Sequence, residues 1–245
     1  MVQLRYKERE NQKNMKSLQL VVPFQTCPFK CPFCIANNPT VENAFENLYE
    51  KDWRLYLNTL AQIVNEKKPE TAVITGDTEP TLNVDWVRYV SEAVKAFSEF
   101  TQIELQTKNF NQETISKFVN YTPINVYAFS VDTIQQLEKV KKLNVGGKIK
   151  RLTLLLNDRL PLDEIELGDT FDQVTIKYLQ MGDNAEINKW IAQHQFKDQK
   201  SLNDFIKRCK DVSVMVDTNC MISENRYKIY RSDGVIYDTW TDLPQ

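Results

Sequence analysis

Histidine is almost absent: His194 is the only one in 245 residues. Metal sites built on two or more histidines are therefore excluded. Glycine is scarce, at six residues, where ~7% is usual. Neither a Gly-x-Gly-x-x-Gly fingerprint nor a Walker-type loop can be written. An excess of basic charge is missing too, with 31 Lys+Arg against 33 Asp+Glu and a net charge of −2. A general nucleic-acid-binding coat is not expected. No apolar run reaches the ~18 residues of a membrane span. Met1 to Lys16 is polar, without the apolar core of a signal peptide. No membrane partner is expected, and the cytoplasm is the expected location.

Cysteine is few but not scattered. Of five cysteines, Cys27, Cys31 and Cys34 fall within eight residues, and Cys209 and Cys220 stand far away. An odd, clustered set argues against a secreted disulfide framework and for a metal or redox site in a reduced chain. Hydrophobic residues make up 42% and charged residues 26%, the balance of a globular protein with a core.

Apolar β-branched runs alternate with helical patterns. The spacing predicts strands over 18–24, 71–75, 102–107, 126–131, 152–156 and 174–179. Helices are predicted over 43–67, 84–100, 113–120, 134–143 and 185–194. Alternating strands and helices give an α/β fold with a parallel sheet. Six units are too few for a closed eight-stranded barrel of ~250 residues, so an open partial barrel or a doubly wound sheet is expected. In both, the reactive edge is the carboxyl end of the strands. Residues 1–16 read as a flexible arm, 17–195 as the body and 196–245 as a small extension of the same domain. That extension carries a helix over 201–210, a strand over 212–216 and a hairpin around Ser232-Asp233-Gly234.

The cluster reads Cys27-Pro28-Phe29-Lys30-Cys31-Pro32-Phe33-Cys34, directly after the first strand. Three thiolates in one loop leave a zinc site short of a fourth ligand. They leave an iron–sulfur cluster, which normally takes four, with one iron open to an external ligand. A structural zinc site with a borrowed ligand is the bland alternative. The spacing, with Phe33 just before the last cysteine, resembles the signature of the radical S-adenosylmethionine (radical SAM) superfamily. A second segment, Thr75-Gly76-Asp77-Thr78-Glu79-Pro80, follows the second predicted strand. It resembles the family's Gly-Glu-Pro segment, with Thr78 where the family usually has glycine. An ordinary βα turn is its bland reading.

The resemblance implies a partial (β/α)6 barrel over roughly residues 17–195. It implies a [4Fe-4S] cluster on Cys27, Cys31 and Cys34, and SAM held by Gly76, Asp77, Thr78 and Glu79 beside Phe33. Thr107 and Ser130, at the ends of strands three and four, match the family more softly, and Ser130 could instead cap a helix in competition with Asp132 or Thr133. The implied chemistry is reductive cleavage of SAM to a 5′-deoxyadenosyl radical that abstracts a substrate hydrogen atom. The implied partners are a small-molecule, nucleotide or peptide substrate and a low-potential electron donor such as a flavodoxin or ferredoxin. A glycyl-radical-enzyme activase acting on a partner protein is an alternative within the class. A non-enzymatic iron–sulfur or zinc protein is the alternative outside it.

Four other features take expectations. Lys177 interrupts an apolar strand and needs a partner, either SAM or substrate in the barrel or water at an edge. Cys209 and Cys220 read as buried apolar thiols, with a substrate-facing Cys220 as the minority reading. His194 is placed at a helix C-terminus. Arg226, Tyr230, Arg231 and Tyr237 form a basic-aromatic hairpin, read as a solvated edge or a lid over an anionic substrate.

Overall fold

The structure is a computed structural model that describes residues 15–23, 27–34, 45–76, 78–99, 101–182, 184–210, 212–217, 227–240 and 242–244. The N-terminal arm, Asp77, Cys220 and Arg226 lie outside the described residues, apart from Met15 and Lys16 at the end of the arm.

Strands β1 (Ser17–Val21), β2 (Thr71–Thr75), β3 (Gln102–Thr107), β4 (Val126–Val131), β5 (Ile149–Leu156) and β6 (Gln173–Tyr178) form one parallel sheet in sequence order. The chain past β6 extends this sheet at both edges. Strand β7 (Ser213–Asp217) pairs with β6 in parallel, and β8 (Tyr227–Tyr230) pairs with β1 in parallel. Strand β9 (Ile236–Tyr237) pairs antiparallel with β8. The sheet is not closed, as in a partial barrel.

The ladder register separates two chemistries. Leu18, Leu20, Ile74, Leu105, Phe129, Leu152, Leu154 and Ile176 lie on one face, with helical side chains in a continuous core. The opposite, inner face carries Gln19, Thr75, Glu104, Gln106, Ser130, Arg151, Thr153, Gln173, Thr175 and Lys177. Alternation along each strand puts successive side chains on opposite faces, so one apolar face can bind helices while the other stays polar.

The helices are α1 (Leu48–Lys51), α2 (Trp53–Lys67), α3 (Val84–Phe97), α4 (Gln112–Tyr121), α5 (Ile134–Lys141), α6 (Ala185–Gln193) and α7 (Gln199–Arg208). The single helix expected over 43–67 is two. Asp52 leaves helical geometry (φ −150°, ψ 84°), and its carboxylate accepts from Leu55 N, ending α1 and starting α2. This is the usual use of Asp at an N-cap. Strand β5 begins three residues earlier than its leucine run, at Ile149. Lys150 and Arg151 hide it in the sequence. Lys150 Nζ donates to the carbonyls of Lys141 and Leu143, and Arg151 finds partners on the inner face.

The hairpin lies at one edge of the sheet, and two of its side chains are buried. Arg231 is buried, donates to Trp240 O and lies 4.2 Å from the Phe45 ring centroid. Tyr230 OH donates to Tyr56 O inside the core. The hairpin is docked against β1 and forms one edge of the sheet, with Tyr230 and Arg231 buried in it instead of solvated. No described helix is long and apolar enough to cross a membrane.

Candidate functional site

The cysteine loop leaves the carboxyl end of β1 and runs beside the loops that follow β2, β3 and β4. Its entry is set by a backbone contact. Gly76, just past β2, has φ +126°, and a Cβ there would stand 2.7 Å from Val21 Cγ1 and 3.1 Å from Val22 N. Glycine is needed for both the dihedral and the approach.

Glu79 is buried and fully engaged. Its Oε1 accepts from Thr81 N at 3.1 Å, Thr81 Oγ1 at 2.7 Å and Thr107 Oγ1 at 2.5 Å. Its Oε2 accepts from Lys108 N at 2.9 Å. One carboxylate thereby ties the loop after β2 to the end of β3. Thr78, also buried, lies beside it. Of the expected site residues, Gly76, Thr78, Glu79 and Thr107 are thus brought together.

Cys27, Cys31 and Cys34 are all free thiols. Partial burial pushes the Cys27 thiol up, with smaller contributions from the Glu79 carboxylate and Cys31. Cys34 N donates to Cys31 O at 3.1 Å, which closes a tight turn between the last two. Among the described residues no three Cys, His, Asp or Glu side chains stand together as a ready metal site. The donors suit an iron–sulfur cluster in kind and number: three cysteines outside any disulfide on one short loop.

Phe33 is buried against Ile187, Ile191 and Trp190, with Cys31, Leu155 and Leu179 at the margin. Its ring centroid is 5.4 Å from that of Trp190. Helix α6 therefore packs on the cysteine loop. Asn184 caps α6 by accepting from Glu186 N and Ile187 N. His194 stands at its C-cap, where its ring faces Trp190 and its Nδ1 lies 3.0 Å from Asp158 Oδ1.

Ser130 is half-buried on the inner face, opposite Thr153, and does not cap α5. Thr133 does, accepting from Gln136 N. Lys177 is half-buried on the same face, opposite Leu155 and Asp217. The edge position is excluded because β7 covers β6. Cys209 is buried, and burial pushes its thiol up.

Two groups of charges were not singled out in the sequence. On the inner face Thr75 Oγ1 donates to Gln106 Oε1 at 3.1 Å, and Gln106 Nε2 donates to Glu104 Oε1 at 2.9 Å. Glu104 pairs with Arg151, whose Nε donates to Gln173 Oε1 at 2.8 Å. The network passes over Ala128 of β4, which leaves the space a larger side chain would fill. Charges within strand segments (Gln-Ile-Glu-Leu-Gln-Thr, Ile-Lys-Arg-Leu) were the available signal. The second group, Lys108, Asp132 and Arg159, borders the cysteine loop. With Lys30, Cys31 and Phe110 it lines a cavity of about 670 Å³. These residues sit one to three positions past strand ends, where no motif marks them.

Comparison with known proteins bears on the fold and the family. No curated protein matches the chain. The solved structure of native anSMEcpe with bound AdoMet superposes with a TM-score of 0.57 at 12% identity, covering 93% of this chain and 75% of that one. The structure of BtrN in complex with AdoMet and 2-DOIA gives 0.51 at 10% identity, covering 94% and 75%. At such identities the likeness is one of fold. The sequence model of the Radical SAM superfamily matches residues 21–167, from the end of β1 to beyond β5 and across all three clustered cysteines. The chain belongs to the radical SAM superfamily of enzymes.

Proposed function

We propose that this enzyme binds a [4Fe-4S] cluster through Cys27, Cys31 and Cys34 and binds SAM beside it. The observation that supports this is the placement of three cysteines, none in a disulfide, on the loop after β1, with Cys27 beside Glu79 of the loop after β2. When bound, the cluster supplies the single electron that cleaves SAM, and the resulting 5′-deoxyadenosyl radical takes a hydrogen atom from the substrate. The chain's own residues position the reactants. Glu79, fixed by its four donors, holds the Thr78–Glu79 backbone where it can meet the amino group of SAM. Phe33 and α6 cover the loop with apolar surface and limit the access of water. Ser130, Thr153, Thr175 and Lys177 on the inner face offer polar groups to the ribose of SAM or to a substrate.

The substrate is a small molecule, nucleotide or peptide that enters the polar inner face. The electron comes from a low-potential flavodoxin or ferredoxin. A reducing cytoplasm suits described cysteines that are all free. Anaerobic reconstitution with iron and sulfide, followed by electron paramagnetic resonance of the dithionite-reduced protein, tests the reading. A [4Fe-4S] signal that changes on adding SAM is expected. A full cluster whose signal ignores SAM would refute it.

A further inference from the structure

Lys108, the first residue past β3, presents its ammonium to the cysteine loop. Its Nζ lies 3.3 Å from Cys31 Sγ, 2.8 Å from Asp132 Oδ1 and 5.3 Å from the Phe33 ring centroid. The side chain is only 14% exposed. Its position is fixed from behind. The Lys108 backbone N–H is held by Glu79. Asp132, with a side chain 5% exposed, also receives Arg159 Nη2 at 2.8 Å on its other oxygen. The Asp132 backbone donates to Gln136 Oε1 and accepts from Asn157 Nδ2. Arg159 in turn lies 5.2 Å from the Trp190 ring centroid, on the helix that packs against the loop. Two cations thus share the Asp132 carboxylate, and the Lys108 ammonium is the one that reaches the Cys31 sulfur.

We infer that Lys108 is a positioning residue that orients the Cys31 sulfur and raises the reduction potential of the iron–sulfur centre carried by the loop. The inference rests on the cluster assignment under Proposed function. Reduction adds a negative charge, so a cation or hydrogen-bond donor at a ligating sulfur favours the reduced form. Low exposure limits screening by salt. The Asp132 anchor matters because an unanchored lysine would extend into water. The two neighbours divide the work: Asp132 aims the ammonium, and Arg159 offsets the negative charge of Asp132 so that the ammonium is not neutralised.

The test is a redox titration, followed by paramagnetic resonance, of the reconstituted full-length protein without SAM. Lys108→Met and Lys108→Gln should be at least tenfold harder to reduce, a potential lower by about 59 mV for a one-electron couple. Lys108→Arg, which keeps the charge, should stay near wild type. An unchanged potential in the Met and Gln variants at full iron content overturns the inference. So does a shift that appears only when SAM is present, which would make Lys108 a ligand of SAM instead. If neither neutral variant takes up iron, pulsed resonance on wild-type protein labelled with ¹⁵N-lysine decides. A lysine nitrogen coupled to the reduced centre, and lost in Lys108→Arg, supports it; no coupling overturns it. A wild type that binds no cluster refutes the proposed function, which is a separate outcome.

Discussion

Gly76→Ala is the most demanding test of the contact that places the cysteine loop. The added methyl group meets two penalties. Backbone at φ +126° costs a residue with a Cβ about 1–2 kcal/mol. The Cβ would also stand 2.7 Å from Val21 Cγ1, 3.1 Å from Val21 Cα and 3.1 Å from Val22 N. Forcing a methyl into packed surroundings costs about 1–3 kcal/mol. The expected loss is the sum, about 2–5 kcal/mol, read from urea unfolding followed by circular dichroism. The methyl pushes on the last residues of β1, so the same variant should load less iron. Val21→Ala in the Gly76→Ala background separates the penalties. It removes the Val21 Cγ1 clash but leaves the dihedral and both backbone contacts. The double variant should therefore lose about 1 kcal/mol less than the sum of the single losses, without returning to wild type. A Gly76→Ala protein within about 0.5 kcal/mol of wild type, the range of ordinary surface substitutions, would show that β1 and β2 do not approach as described.

Further predictions concern buried charge and thiols. Arg151→Met leaves Glu104 buried without its cation and should cost about 3–5 kcal/mol, while Glu104→Gln combined with Arg151→Met should cost less; a double-mutant cycle by thermal melting checks both. Glu79→Gln sets an amide donor against the Lys108 N–H, and should cost about 1–3 kcal/mol and weaken SAM binding measured by calorimetry. Cys209, buried and with its thiol pushed up by that burial, should resist iodoacetamide at neutral pH until urea unfolds the chain, as followed by mass spectrometry.

Much of this was legible in the sequence because local rules and the fold agree. Strands β2, β3 and β4 begin and end where the sequence places them, since each sets apolar side chains on the face that the helices cover. The cysteine spacing and the single glycine after β2 marked the site for the same reason: few residues satisfy that chemistry. The misses share a cause. Asp52 splits a helix because a short side chain competes for backbone hydrogen bonds, which apolar periodicity does not register. Lys150 and Arg151 obscured the start of β5 because their charges are met only in the fold, Lys150 by the carbonyls of Lys141 and Leu143 and Arg151 by the distant Glu104 and Gln173. Lys108, Asp132 and Arg159 converge only when β3, β4 and β5 are laid side by side. Arg231 read as a surface charge, yet it is buried among Phe45 and Trp240 because β8 docks beside β1.

The proposed function requires this chain to cleave SAM at the cysteine loop. The most direct measurement is chromatography for 5′-deoxyadenosine after the anaerobically reconstituted protein is incubated with SAM and dithionite. Wild-type protein should form 5′-deoxyadenosine, and Cys31→Ala should form none and lose its cluster. A wild-type protein with a full cluster that forms no 5′-deoxyadenosine, or a Cys31→Ala variant that keeps its cluster unchanged, would contradict the account.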